Sequence, residues 1–244
     1  MIEAHGLIKR FRSLVALDGI SFTAKDGEVT GLVGPNGAGK TTALRLLTTV
    51  MRPDSGSISI DGFDTGAQPI EAQKRLGVLA DARGLYPRLT AREHVRYFGR
   101  LHGIPRRELD QRIDRLIERL GMADFADRRA KGFSKGQAMK VALARALVHE
   151  PRNLLLDEPT NGLDITSSRA MRGLIGELKA QGRCILFCSH IFSEVAALSD
   201  RLIILSQGKI AAMGRTEDII AESKSRDLEE AFLALTGASP GAPP

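Results

Sequence analysis

The sequence predicts an α/β fold in which a helical subdomain is inserted into a strand-rich core. Three observations lead there. Short apolar runs alternate with amphipathic segments along the 244 residues, as strands and helices do when they take turns. Several of those runs are apolar throughout, as strands covered on both faces must be. Residues 88–150 carry helical patterns and no strand-like run.

The elements follow in chain order. The first core strand is expected at 28–33, with a helical run at 42–50 after a glycine-rich turn. Residues 57–61, Ser57-Ile58-Ser59-Ile60-Asp61, alternate apolar and polar side chains, which predicts a strand with one wet face. Residues 76–79 are strand-like again. In the middle, Leu109, Ile113, Leu116, Ile117 and Leu120 form one helical stripe that stops at Gly121. Met139, Leu143, Ala146 and Leu147 form another. Strands are expected at 153–157, 184–188 and 201–205, with the stripe Met171, Leu174, Ile175 and Leu178 ending at Gly182 between the first two. The last seven residues, 238–244, are Ala, Ser, Gly and Pro alone and are expected to fray.

Composition narrows the function classes. Hydrophobic residues make up 43% and charged residues 26%, a globular balance that excludes wholesale disorder. The net charge of +6 suits an anionic partner. The basic residues are dispersed with no block of five, so no nucleic-acid partner is expected. No run approaches the roughly 20 apolar residues that span a bilayer, and Met1-Ile2-Glu3-Ala4-His5 lacks the basic flank and apolar run of a secretion signal. A soluble, cytoplasmic chain is the expectation. Cys184 and Cys188 are the only cysteines. Four residues apart in a strand, they share a face and read as buried thiols, since zinc would need further ligands nearby.

Two motifs carry chemistry. Gly34-Pro35-Asn36-Gly37-Ala38-Gly39-Lys40-Thr41 matches the phosphate-loop pattern G-x-x-x-x-G-K-[ST], with the required strand before it and helix after it. Its glycines let backbone N–H groups turn onto a phosphate at a helix N-terminus. Lys40 reaches toward β- and γ-phosphates, and the Thr41 hydroxyl suits Mg²⁺. Further on, Leu154-Leu155-Leu156-Asp157-Glu158 ends an apolar strand in two carboxylates. Asp157 is placed for a metal and Glu158 for polarising a water as general base.

With these residues in view, the chain resembles the nucleotide-binding subunit of an ATP-binding-cassette transporter over about residues 2–220. The resemblance implies a P-loop NTPase (RecA-like) core with an antiparallel β subdomain and an inserted α-helical signature subdomain. As domains it implies one cassette over 1–244: an ATP-binding core of 1–87 and 151–222, a helical subdomain of 88–150, and a C-terminal helix and tail in 223–244. ATP and Mg²⁺ are the implied cofactors. Nucleotide contacts would come from Gly34, Pro35, Asn36, Gly37, Ala38, Gly39, Lys40, Thr41 and Thr42. Phe133-Ser134-Lys135-Gly136-Gln137 resembles the signature that binds the γ-phosphate held by the opposite subunit, through Ser134, Gly136 and Gln137; read without the resemblance, it is a Ser-capped helix start. Gly162-Leu163-Asp164 resembles the D-loop at the dimer interface, which brings in Asp164. His190 resembles the switch histidine on the γ-phosphate, and Phe11 the aromatic that stacks on adenine; a core phenylalanine is the other reading of Phe11.

Two positions depart from the family pattern. Asp81 stands where the family usually carries a Gln that touches Mg²⁺ or the attacking water; an anion still ligates a cation but adds negative charge beside the γ-phosphate. Lys135 replaces the commoner Gly, which resembles ABC-2 exporters, and the run from Gly77 to Thr90 resembles the sodium-efflux (Nat-type) branch. The resemblance thus implies a homodimer on a polytopic permease at the inner face of the cell membrane, powering Na⁺ efflux, with drug or lipid export as the alternative cargo. Non-transport cassettes usually carry long coiled-coil insertions or two cassettes, which this chain lacks, and a P-loop kinase or GTPase would leave the signature-like residues and His190 unexplained.

Overall fold

A computed structural model describes residues 1–80 and 84–237. Two sheets organise these residues. The smaller is antiparallel and joins β1 (Ile2–Phe11), β2 (Leu14–Ala24), β4 (Ser55–Ile60) and β5 (Phe63–Asp64) in the order β2-β1-β4-β5. The larger joins β3 (Val29–Val33), β6 (Leu76–Leu79), β7 (Asn153–Asp157), β8 (Cys184–Ser189), β9 (Arg201–Ser206) and β10 (Lys209–Gly214) in the order β10-β9-β3-β8-β7-β6. Its strands run parallel except β10, which returns antiparallel along β9.

The central strands are apolar on both faces because the sheet is covered on both. In β8 all six residues are buried. Ile185 and Phe187 face one core, which includes the helices of the middle of the chain, whereas Cys184, Leu186 and Cys188 face the other, against the antiparallel sheet. The two cysteines thus share a buried face, as their spacing predicts. Burial pushes the Cys184 thiol up to about 12 and raises Cys188 as well, so both are inert thiols.

The helices are α1 (Lys40–Leu47), α2 (Pro69–Lys74), α3 (Ala91–Leu101), α4 (Arg106–Arg119), α5 (Lys135–Leu147), α6 (Ile165–Ala180), α7 (Phe192–Leu198), α8 (Thr216–Glu222) and α9 (Leu228–Thr236). Between β6 and β7 the described residues form α3, α4, a 3₁₀ turn over Ala123–Phe125 and α5, with one isolated bridge between Thr90 and Arg129. α3 begins at a capping box in which Thr90 and Glu93 satisfy each other's backbone N–H groups. The α4 stripe packs Leu109, Ile113 and Ile117 into the core, and the chain leaves the helix at Gly121, φ +57°.

Several boundaries differ from expectation. The helix expected at 42–50 runs from Lys40 to Leu47: Gly39, at φ +109°, turns the chain straight into it, and Thr49, at φ +60°, turns it out. The strand expected at 28–33 starts at Val29, and the alternating one occupies Ser55–Ile60 rather than 57–61. β8 and β9 each extend one residue beyond 184–188 and 201–205. The fraying expected of 238–244 lies outside the described residues. No helix of the described residues is long and apolar enough to cross a membrane.

Candidate active site

β3, β8 and β7 are parallel neighbours, so their carboxyl ends open on one edge of the sheet, where parallel sheets bind ligands. The loop after β3 is shaped by close backbone approaches. A Cβ on Gly34 would lie 2.2 Å from the Leu205 carbonyl oxygen of β9, and one on Gly39 would lie 2.6 Å from that of Ala16. Gly39 precedes α1 without any side-chain cap, so the first-turn N–H groups of α1 remain available to an anion. Lys40 Nζ donates to the carbonyls of Gly34 and Pro35. Burial lowers its pKa, and the nearby Glu158 carboxylate is the largest influence opposing that.

Glu158 directly follows β7 and adopts φ +48°, a left-handed conformation that costs a non-glycine residue about 1–3 kcal/mol. The end of β8 holds it there. The Glu158 N–H donates to the Cys188 carbonyl at 2.9 Å. His190 Nδ1 lies 2.8 Å from Glu158 Oε1, and the Ser189 hydroxyl donates to Oε2 at 3.2 Å. The Glu158 side chain is 14% exposed and that of His190 is 52% exposed, so the pair faces an open cleft.

That cleft has a volume of about 660 Å³. Of the residues expected from the sequence, Phe11, Pro35, Asn36, Gly37, Gly39, Lys40, Thr41, Thr42, Asp157, Glu158 and His190 line it. Gly34 and Ala38 are buried beneath the loop. Phe11 is 41% exposed at the end of β1, which excludes the core reading. Leu14, Val15, Ala16, Asn161 and Gln207 also line the cleft and were not anticipated. Leu14, Val15 and Ala16 arrive through pairing of β2 with β1, and Gln207 sits in the turn between β9 and β10. No short motif marks them.

The side chains present suit a hard cation. Thr41 and Asp157 offer only oxygen, and no group of three His, Cys, Asp or Glu residues able to hold a metal occurs among the described residues. A Mg²⁺ ion bound by one hydroxyl and one carboxylate, with phosphate oxygens and water completing its shell, fits that donor set. Asp81 lies outside the described residues.

A sequence profile of the family described as ABC transporter matches residues 17–161. The chain is 48% identical over 239 residues to the ABC transporter ATP-binding protein NatA of Bacillus subtilis (strain 168), covering 96% of this chain and 97% of that one. The chain belongs to the ABC transporter family. It is an ATP-binding subunit and an ATPase. The linearmycin resistance ATP-binding protein LnrL of the same organism is a second relative of this cassette, 33% identical over 96% of this chain and 78% of that one. Among solved structures, an ATP-binding subunit of an ABC transporter superposes with a TM-score of 0.89 at 29% identity, covering 96% and 99% of the two chains. A dimeric post-hydrolysis state of the ATP-binding cassette MJ0796, bound to ADP and Pi, does so with a TM-score of 0.80 at 25% identity, covering 88% and 98%.

The signature-like residues of the cassette sit elsewhere. Ser134, Gly136, Gln137 and Asp164 do not line the cleft. Ser134 caps α5 in a capping box: its hydroxyl accepts from the Gln137 N–H at 3.1 Å, and Gln137 Oε1 accepts from the Ser134 N–H at 3.1 Å. The capped helix start expected of this segment is thus present, with its hydroxyl already engaged by the Gln137 N–H. Asp164 caps α6 by accepting from the Ser167 N–H at 2.7 Å, which holds its carboxyl below the usual range. Lys135 packs over Gly162, where a Cβ would lie 2.9 Å from its Cδ. The signature and the D-loop-like turn thus touch within one chain.

Proposed function

We propose that ATP closes two copies of this subunit head to tail against a polytopic permease at the inner face of the cell membrane, and that hydrolysis reopens them to power export. One observation carries this reading. The phosphate-loop cleft contains Lys40, Asp157, Glu158 and His190 but not Ser134 or Gly136, so a site that uses both sets needs a second chain. The dimeric cassette among the structural neighbours supports it.

Each residue then has a task. Lys40 and the N–H groups at the start of α1 bind the β- and γ-phosphates, and Phe11 stacks on adenine. Thr41 and Asp157 would hold Mg²⁺, which would neutralise charge developing on the phosphates; the family resemblance assigns Asp81 to the same ion. Glu158 takes a proton from the attacking water at a carboxylate oxygen as the new bond to the γ-phosphorus forms and the bond to the β–γ bridging oxygen breaks. His190 orients Glu158 through Nδ1 and presents its other nitrogen to the γ-phosphate. Ser134, Gly136 and Gln137 of the second copy close over that phosphate, with Asp164 at the interface. The Nat-type resemblance of the run from Gly77 to Thr90 favours Na⁺ as cargo. The similarity to LnrL favours a drug as the second reading.

A mixing experiment tests the shared site. Ser134→Arg blocks a signature and Lys40→Ala disables a phosphate loop. Mixed together, the two chains form one intact composite site, so single-turnover hydrolysis is expected in the mixture and in neither variant alone. A mixture as inactive as its parts, or wild-type turnover per subunit that does not change with protein concentration, overturns the dimer mechanism. Efflux from vesicles holding the subunit and its permease, measured for Na⁺ and for a drug, decides the cargo.

A further inference from the structure

We propose that Ser189 is a positioning residue for hydrolysis, fixing the carboxylate plane of Glu158. This rests on the reading of Glu158 as general base. Ser189 is the last residue of β8 and is 0% exposed. Its hydroxyl accepts the Ile191 N–H at 3.1 Å, so its own proton points away from that donor. Glu158 Oε2, at 3.2 Å, receives the proton. The direction of the hydrogen bond is therefore set by the backbone N–H of Ile191.

The second contact matters because a carboxylate turns easily. The terminal torsion of a Glu side chain is broad and roughly two-fold, so one hydrogen bond leaves the plane free to rotate about it. His190 Nδ1, at 2.8 Å from Oε1, supplies one such contact, from a side chain that is half exposed. Ser189 supplies the other from a fully buried strand end. Each carboxylate oxygen keeps a lone pair after these contacts, and a fixed plane aims that lone pair at one place in the cleft. With the Glu158 N–H held by the Cys188 carbonyl, three consecutive residues of the chain grip Glu158 at its backbone and at both oxygens. That grip also accounts for a left-handed glutamate persisting at this point.

The test compares Ser189→Ala and Ser189→Thr in the full chain. Misplacing a reacting group by about an ångström costs up to roughly a hundred-fold. Ser189→Ala is therefore expected to lower kcat about ten- to a hundred-fold, with equilibrium ATP affinity unchanged within about two-fold. Ser189→Thr keeps the hydroxyl and is expected to recover most of the rate. In a Glu158→Gln background, Ser189→Ala should add no further loss in single turnover, because it acts through the missing carboxylate. Three outcomes overturn the inference: a wild-type kcat in Ser189→Ala while Glu158→Gln is inactive, a Thr variant as slow as the Ala variant, or a loss of ATP affinity that accounts for the slower rate. Full turnover in Glu158→Gln overturns the reading of the base itself, which separates the two failures.

Discussion

Glu158→Gln is expected to stop turnover and leave ATP binding intact. Gln has the shape of Glu, and its amide oxygen can keep the contact that Oε1 makes with His190 Nδ1 at 2.8 Å. Its NH₂ cannot accept the Ser189 proton that Oε2 accepts at 3.2 Å. The structural loss is one charge-assisted hydrogen bond at a side chain that is 14% exposed, at most about 1.5–3 kcal/mol. The catalytic loss is larger. Removing a general base typically costs about 10²–10⁴-fold, or about 2.7–5.4 kcal/mol of barrier at about 1.36 kcal/mol per factor of ten. Lys40, the loop carbonyls it touches and the start of α1 are unchanged, so ground-state contacts to ATP persist. The assay pairs phosphate release in single turnover with an equilibrium ATP titration, and gel filtration with ATP should show a retained dimer. A rate loss smaller than about ten-fold would refute Glu158 as the base. A fall in affinity that matches the fall in rate would show that Glu158 serves binding instead.

Two further outcomes follow from other parts of the fold. Gly34→Ala places a methyl 2.2 Å from the Leu205 carbonyl oxygen of a central strand, so the loop must shift: about 1–3 kcal/mol of stability, roughly 2–4 °C of Tm per kcal/mol, and weaker ATP binding are expected, and a melt and titration matching wild type would contradict the close approach. His149 is pushed down to about 4 from its ordinary 6.5, first by burial and then by the His102 ring stacked 3.7 Å away. The unfolded chain therefore binds more protons between those values. Stability carried by neutral His149 is complete above pH 6.5 and is lost as pH falls toward 4, by up to about 3 kcal/mol. Urea midpoints taken from pH 7 to 4.5 should slope less in His149→Gln, and equal slopes would sink the assignment.

The parallel sheet was legible because its strands are covered on both faces and read as unbroken apolar runs. The antiparallel sheet was legible only in part. Residues 57–60 of β4 alternate, and the strand expected at 57–61 overlaps it there. β1 and β2 were not, because their pairing shifts register at Ala4/Leu7, Leu7/Ile8 and Lys9/Arg10. Each shift breaks the two-residue period that marks a strand. The same distinction holds in the cleft. Its phosphate end is local in sequence, built from 34–42 and 157–158, and short motifs expose it. Its other end is assembled by β2 meeting β1 and by the turn after β9, so Leu14, Val15, Ala16 and Gln207 carry no signal until the chain is folded. Ser189 illustrates a third case: its neighbour His190 drew attention, but only distances identify the hydroxyl that faces Glu158.

The two helix starts that suit an anion differ in a way that orders their use. α1 follows Gly39, which has no side chain to cap it and turns at φ +109°, so its first-turn N–H groups open directly into the cleft. α5 follows Ser134, whose hydroxyl already accepts the Gln137 N–H while Gln137 answers to the Ser134 N–H. An anion reaching α5 competes with that box for the serine, whereas one reaching α1 displaces no cap. The first site thus favours tight binding from a single chain, and the second a weaker contact, made when a phosphate already held elsewhere is brought up to it. That asymmetry suits the proposed closure by nucleotide, in which one loop would hold ATP by itself and the α5 start would engage only when a second copy presents the γ-phosphate.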